Sequence, residues 1–131
     1  MAEGTYRGII DQYRGVISTF KEGKVGHISL AIDITPGCDC QAPNDTPVVP
    51  DIGVLVSKDG LACDKAAYDL IKAAPGLPGS ALEEKGALDP GTDKVTAIYP
   101  HLKMDELWKL AAEAGIGSLE YELVEIDKEE G

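Results

Sequence analysis

The amino-acid sequence predicts an α/β fold, a compact sandwich of a small mixed sheet with about three helices. Three segments carry apolar residues at helical spacing, and others show the alternation or the continuous apolar run that is typical of strands. These segments follow one another as helix, strand, strand, helix, helix, strand. With 131 residues, of which 44% are hydrophobic, the chain is long enough to form one core, so a single domain over residues 1–131 is expected.

The first half of the chain is predicted to form one helix and two strands. Apolar residues recur every three or four positions over residues 5–22, which indicates an amphipathic helix. Over residues 25–34 the even-numbered positions from Ile28 onward form the apolar face of a strand. The segment DIGVLVS at 51–57 is almost wholly apolar, which is typical of a strand buried on both faces at the centre of a sheet.

The second half is predicted to be mostly helical. A helix is expected over residues 61–74, with Asp59 as its N-cap. The following residues, 75–93, are rich in Gly and Pro and predict a long loop with at most one short helical turn. The remaining predicted elements are a short extended piece, a helix and a final strand, at residues 94–100, 103–114 and 118–126.

The charge and the cysteine content exclude several classes of protein. Twelve basic residues against 23 acidic ones give a net charge of -11, which opposes binding to nucleic acid or to an anionic membrane. No apolar run approaches the roughly 20 residues that span a bilayer. Three cysteines without a signal peptide are too few for a disulfide framework, so reduced thiols and a cytoplasmic location are expected.

The segment between the two predicted strands carries the strongest candidate for a metal site. Cys38 and Cys40 form a C-x-C pair, in which two thiolates can reach one metal ion. Cys63, at the start of a helix, is either a thiol whose pKa the helix dipole lowers or a small core residue. Carboxylates nearby suit a divalent cation. The candidate metal ligands are Cys38, Asp39, Cys40, Asp51 and Asp64.

An enzymatic site is the alternative interpretation of the same region. His27 shares a face of the first strand with Asp33, and Asp64 lies at the edge of an apolar helical stripe where a carboxylate can be half buried. Either Asp64 or His27 could then serve as a general base. The sequence contains neither a G-x-S-x-G elbow nor a glycine-rich phosphate-binding fingerprint.

Several separated blocks give the chain a family resemblance. The blocks DITPGCDC, PVVPDIGVLVSKD, CDKAAYDLI and EYELVEI stand in this order. They resemble the C-terminal part of the uncharacterised iron–sulfur centre proteins known as domain-of-unknown-function family 362, over nearly the whole chain. The chain departs from the family at Gly60, where Pro is usual, and at Cys63, where an aliphatic residue is common.

The resemblance implies an α/β lobe that accompanies a ferredoxin-like segment of C-x-x-C-x-x-C type, which holds [4Fe–4S] clusters upstream of the matched region. This sequence contains no such run. We therefore expect a C-terminal lobe of a larger iron–sulfur protein, or a stand-alone relative, which binds an iron–sulfur cluster or a divalent metal. Its expected partner is a redox protein or the missing N-terminal module. A third possibility is an interaction domain whose exposed apolar patch is covered only by that module.

Overall fold

The computed structural model describes residues 3–38 and 44–126, and it confirms the α/β class. The elements of these residues are five helices and two strands. In chain order they are α1 (Glu3–Ile17), β1 (His27–Ala31), β2 (Gly53–Ser57), α2 (Gly60–Ala73), α3 (Ala81–Glu84), α4 (Lys94–Ile98) and α5 (Met104–Glu113). Within the described ranges, no helix has both the length and the apolar character needed to cross a membrane.

Helix α1 packs against α5 along one apolar stripe. Tyr6 and Ile10 are buried there together with Trp108 of α5. The Tyr6 hydroxyl also accepts a hydrogen bond from the backbone N–H of Lys103, at 2.8 Å, just before α5 begins. This bond fixes the start of the last helix against the first one.

Helix α1 is shorter than predicted, since it ends at Ile17 and not at residue 22. The hydroxyl of Ser18 donates to the carbonyl of Gly15, and that of Thr19 donates to the carbonyl of Val16, each at 2.7 Å. Short hydroxyl side chains that bond the nearby backbone in this way favour turns over continued helix.

The two strands form an antiparallel sheet that α2 covers on one side. The register places Ile28 opposite Val56 and Leu30 opposite Val54. On the side of α2, Ala31 and Leu55 are buried against Cys63 and its small neighbours on the helix. We call Ser29, Ala31 and Leu55 the covered face of the sheet. Because small residues meet across this contact, the helix can approach the sheet closely.

The opposite side of the sheet is exposed, which corrects the prediction of a central second strand buried on both faces. We call this side the open face. It carries the larger aliphatic side chains, which are between 44% and 70% exposed. Its members are Ile28, Leu30, Ile32, Val54 and Val56.

A second small core lies beside the sheet and joins the residues before β2 to the region of α3 and α4. Val49 and Leu82 are buried at its centre, below α3 and α4. The short helix α3 is the single turn predicted within residues 75–93. The prediction of an extended segment at 94–100 is wrong, because α4 forms there. Asp93 caps this helix by accepting the backbone N–H of Thr96 at 3.1 Å.

Lys94, the first residue of α4, is almost completely buried, with 1% of its surface exposed. Its Nζ atom donates to the carbonyls of Lys72, at 3.0 Å, and Asp89, at 2.8 Å. The carbonyl of Lys72 belongs to the last turn of α2, where a cation is favoured by the helix dipole. Lys94 therefore ties α4 to the end of α2.

The C-terminal segment, residues 118–126, lies beside β2 and contains no strand, in contrast to the prediction. The backbone N–H of Ser118 donates to Asp59 at 2.8 Å, and the Tyr121 hydroxyl donates to Asp69 on α2, also at 2.8 Å. A cavity of about 310 Å³ separates the segment from β2. Because these side-chain bonds hold the segment to α2, its predicted alternation does not lead to pairing with β2.

Candidate functional site

The cysteine-containing loop leaves β1 through a fixed turn. Asp33 adopts a positive φ of 48°, a conformation that Asp tolerates better than most residues. Its backbone N–H donates to the carboxylate of Asp51 at 2.8 Å. The Thr35 hydroxyl then bonds Asn44 across the loop at 3.1 Å, and the Tyr99 hydroxyl donates to the carbonyl of Pro36 at 2.5 Å. The stem of the loop is thus held from both strands and from α4.

Cys38 lies at the end of this stem and is exposed. Asp39 and Cys40, the other two predicted ligands in the loop, lie outside the described residues. Within residues 3–38 and 44–126, no group of three His, Cys, Asp or Glu side chains is placed to hold a metal ion. Metal binding by the C-x-C pair therefore stays a prediction.

The two predicted carboxylate ligands lie toward opposite ends of the sheet. Asp51 bonds Asp33, just beyond the last residue of β1. Asp64 interacts electrostatically with His27, which is the first residue of β1. A five-residue strand spans about 13 Å at 3.3 Å per residue. The structure consequently brings Asp51 to the base of the Cys38 loop and places Asp64 in a different neighbourhood.

Cys63 is a core residue, as one of the two interpretations of the sequence held. Only 4% of it is exposed, and it packs with Ala31 and Ala66 under the sheet. Burial raises the pKa of its thiol, and the nearby carboxylate of Asp64 raises it further. The expectation that the helix dipole would lower this pKa is wrong, because desolvation of the thiolate outweighs the dipole.

A hydrogen-bonded pair of side chains forms a second polar group at the start of α2. The Tyr13 hydroxyl lies 2.9 Å from Nε2 of His27, and both lie directly against Gly60. A Cβ atom at residue 60 would overlap the hydroxyl and the imidazole ring, so only Gly fits beneath this pair. The Nδ1 atom of His27 is buried and finds no hydrogen-bond partner among the described residues.

The polar role of Tyr13 is not visible in the sequence, where it is one of the apolar-stripe residues of the helix predicted over residues 5–22. The available signal was chemical, since a half-buried tyrosine needs a partner for its hydroxyl. Burial raises the pKa of Tyr13, and the carboxylates of Asp59 and Asp64 raise it further, while the backbone N–H of Gly60 lowers it. The tyrosine therefore stays protonated at neutral pH and can donate or accept a hydrogen bond.

Asp64 lies next to this pair, at the edge of a pocket between α1, α2 and α5. The pocket has a volume of about 130 Å³, and Tyr13, Gly60, Asp64 and Trp108 contribute to its lining. The residue as a whole is exposed, and it also lines this mainly apolar pocket. Burial raises the pKa of Asp64, and the nearby His27 partly offsets this rise.

The other aspartates of the region have structural roles. Asp59 caps α2 by accepting the backbone N–H of Ala62 at 3.0 Å, which confirms the predicted N-cap. Asp45 bonds the backbone N–H of the residue that follows it, at 2.7 Å. The described chain thus offers two separate neighbourhoods for chemistry, an exposed thiol above Asp51 and an acid–base group around Asp64.

Comparisons of the chain with protein-family models, with curated proteins and with solved structures found no match.

Proposed function

We propose that this chain is a non-catalytic, accessory lobe of an iron–sulfur redox protein. It docks through the open face of its sheet and presents the loop of Cys38, Asp39 and Cys40 toward a metal ion or a cluster. The observation that carries this proposal is the exposure of the open face, between 44% and 70% for each of its five aliphatic side chains. A lobe of this kind positions a cluster or its redox partner.

The open face has the character of an interface left by a missing layer. In the register Ile28 lies opposite Val56 and Leu30 opposite Val54, so these side chains form one continuous patch and not scattered exposed residues. Neither β1 (HISLA) nor β2 (GVLVS) contains a Lys, Arg, Asp or Glu residue. A contiguous apolar patch on a small protein marks a contact surface. An α/β sheet usually has a layer on each face, and α2 supplies only one of them.

The geometry of the loop supports a ligand role for its thiols. The stem is held at Asp33 and Thr35, and Cys38 follows it on the surface, where a partner can reach the sulfur. The Asp51 carboxylate accepts the backbone N–H of Asp33 and so holds the stem in place. In this proposal Asp51 supports the loop, and the thiolates bind the metal. Asp64 lies near His27, toward the other end of the sheet, and its role as a metal ligand stays a prediction.

The cysteine count indicates that the lobe shares a cluster rather than holding one alone. A [4Fe–4S] cluster takes four thiolates. The chain has three cysteines, and Cys63 is buried in the core away from the loop. Two thiolates are left, which suffice for part of a shared site or for a divalent metal with additional oxygen ligands. The proposed partner is accordingly a ferredoxin-like module that supplies the remaining cysteines, in line with the family resemblance of the sequence.

The test is metal uptake by anaerobically purified protein, followed by elemental analysis and an absorption spectrum. The wild-type protein is expected to take up iron or zinc in a fixed ratio to protein, and a Cys38→Ser, Cys40→Ser double variant is expected to lose this uptake. Cys63→Ala is the matched control, because it removes a thiol that lies in the core and should leave uptake unchanged. Equal uptake by the double variant and the wild type would sink the ligand assignment.

A further inference from the structure

The pocket beside Asp64 combines an apolar lining with a few polar residues. Its walls are mostly aliphatic and come from α1, α2, α5 and the residue Ile116. Three residues that carry polar groups also line it, which are Tyr13, Asp64 and Trp108. A mainly apolar pocket with a few convergent polar groups is the usual form of a small-molecule site.

Asp64 forms no salt bridge among the described residues, and its charged neighbour there is His27, which interacts with it electrostatically. The ion pairs there join Arg7 to Glu3, Lys65 to Asp69 and Lys109 to Glu113. Unlike Asp51, Asp59 and Asp93, Asp64 also accepts no hydrogen bond within the described chain. A carboxylate at a mainly apolar pocket that has no salt bridge or hydrogen bond of its own can gain a strong interaction with a ligand cation.

Trp108 supplies an aromatic ring to the lining of the pocket. Only 9% of the residue is exposed. The electron-rich face of an indole also attracts a cation that lies within about 6 Å of the ring. No Lys or Arg among the described residues lines the pocket, so an anionic ligand would find no positive charge there to pair with.

The volume of the pocket limits the size of the ligand. It measures about 130 Å³. An engineered apolar cavity of about 150 Å³ takes up benzene. The apolar part of a ligand here is thus no larger than one six-membered ring or a short branched chain.

We propose that the pocket between α1, α2 and α5 binds a small amine with an apolar body, whose ammonium group pairs with Asp64 beside the Tyr13 hydroxyl. The apolar body lies against the aliphatic walls, and the Trp108 ring borders the bound cation. This site lies toward the opposite end of the sheet from Cys38. The inference is therefore independent of the proposed docking role, and either can fail without the other.

The experiment uses three probes of the same body and different charge, which are benzylamine, benzyl alcohol and benzoate. Each is titrated into the full chain while backbone amide signals are followed by NMR. Benzylamine is expected to shift signals near Gly60 to Asp64 and near Trp108 in a saturable way, with an affinity at least about tenfold above that of benzyl alcohol. Benzoate is expected to leave these signals unshifted.

Two variants separate a specific site from attraction to an acidic protein. Asp64→Asn keeps the shape of the side chain and is expected to weaken benzylamine binding by about tenfold or more. Asp11→Asn removes the same charge from an exposed position of α1 and should leave binding unchanged. An unaltered amide spectrum of Asp64→Asn shows that the variant is folded. Equal binding of benzylamine and benzyl alcohol, or equal weakening by the two variants, overturns the proposal.

Discussion

The two faces of the sheet differ in what they carry and in what covers them. The covered face has the smaller residues, such as Ser29 and Ala31, and packs on the small side chains of α2. The open face has the larger aliphatic residues and is exposed. Of the two faces of a sheet, the one with the larger aliphatic residues is ordinarily the better buried, because burial of apolar area drives folding. The reversal indicates that the stability of the isolated chain and its capacity for contact reside on different faces of the same two strands.

The largest difference between the two faces is expected when one leucine on each face is replaced by alanine. Leu55 is 9% exposed on the covered face, and Leu30 is 63% exposed on the open face. Leu55→Ala is expected to lower the free energy of unfolding by about 2–5 kcal/mol, because it leaves a cavity under α2. Leu30→Ala should change it by no more than about 0.5 kcal/mol, since its side chain is already largely hydrated. Urea denaturation of the two variants measures the difference, and equal losses would show that both faces belong to the core of the isolated chain.

Self-association of the purified chain is the next expected effect. No described residue covers the open face, so sedimentation velocity should detect oligomers that increase with protein concentration. Leu30→Ser is expected to weaken this association by about tenfold, because it places a hydroxyl at the centre of the patch. Ile9→Ser is the matched control, since Ile9 is 51% exposed but belongs to α1. Similar weakening by both variants would mean that apolar surface in general, and not the open face, drives association.

A smaller effect on the free energy of unfolding is expected from the charge of Asp64 on α2. Because burial raises the pKa of Asp64 in the folded chain, the folded state binds the proton more tightly than the unfolded state does. Ionisation of Asp64 therefore destabilises the fold as pH rises from the unfolded pKa, about 3.9, through the raised folded pKa. Below that window the carboxyl is protonated in both states and costs nothing.

Asp64→Asn should consequently be slightly more stable than the wild type at pH 7 and equal to it near pH 3. Thermal unfolding over this pH range gives the comparison. Asp11→Asn controls for the general relief of a net charge of -11. If both substitutions stabilise the chain equally at pH 7, the gain reflects net charge and not the surroundings of Asp64.

Local patterns predicted the elements whose determinants are close in sequence. Helix α2 begins where Asp59 predicted its cap, and α5 lies within one residue of its predicted bounds. Alternation in β1 correctly grouped Ile28 with Leu30, but it could not tell which face would meet a helix. That choice depends on how closely α2 approaches, which is set by small residues elsewhere in the chain.

The candidate site was predictable only in part, for a similar reason. The residue types identified Cys38, His27 and Asp64, because thiolate, imidazole and carboxylate chemistry belongs to the side chain itself. The sequence did not show which of these side chains would lie close together in the folded chain. Tyr13 and His27 are 14 residues apart and meet only because Gly60 lets both approach the start of α2. Asp51 and Asp64, in contrast, are only 13 residues apart, at the start of a predicted strand and in the helix that follows it. They nevertheless lie toward different ends of the sheet.

The burial of Lys94 has a consequence for the chemical modification of this chain. Its amino group is sealed between two backbone carbonyls, and 1% of the residue is exposed. Burial lowers the pKa of Lys94, although Asp89 and Asp93 oppose the shift. An unprotonated lysine is the nucleophilic form, but no acylating reagent can reach it while α4 rests on the end of α2. The rate of acylation of Lys94 would therefore report how often these two helices separate, and so measure local opening of this part of the molecule.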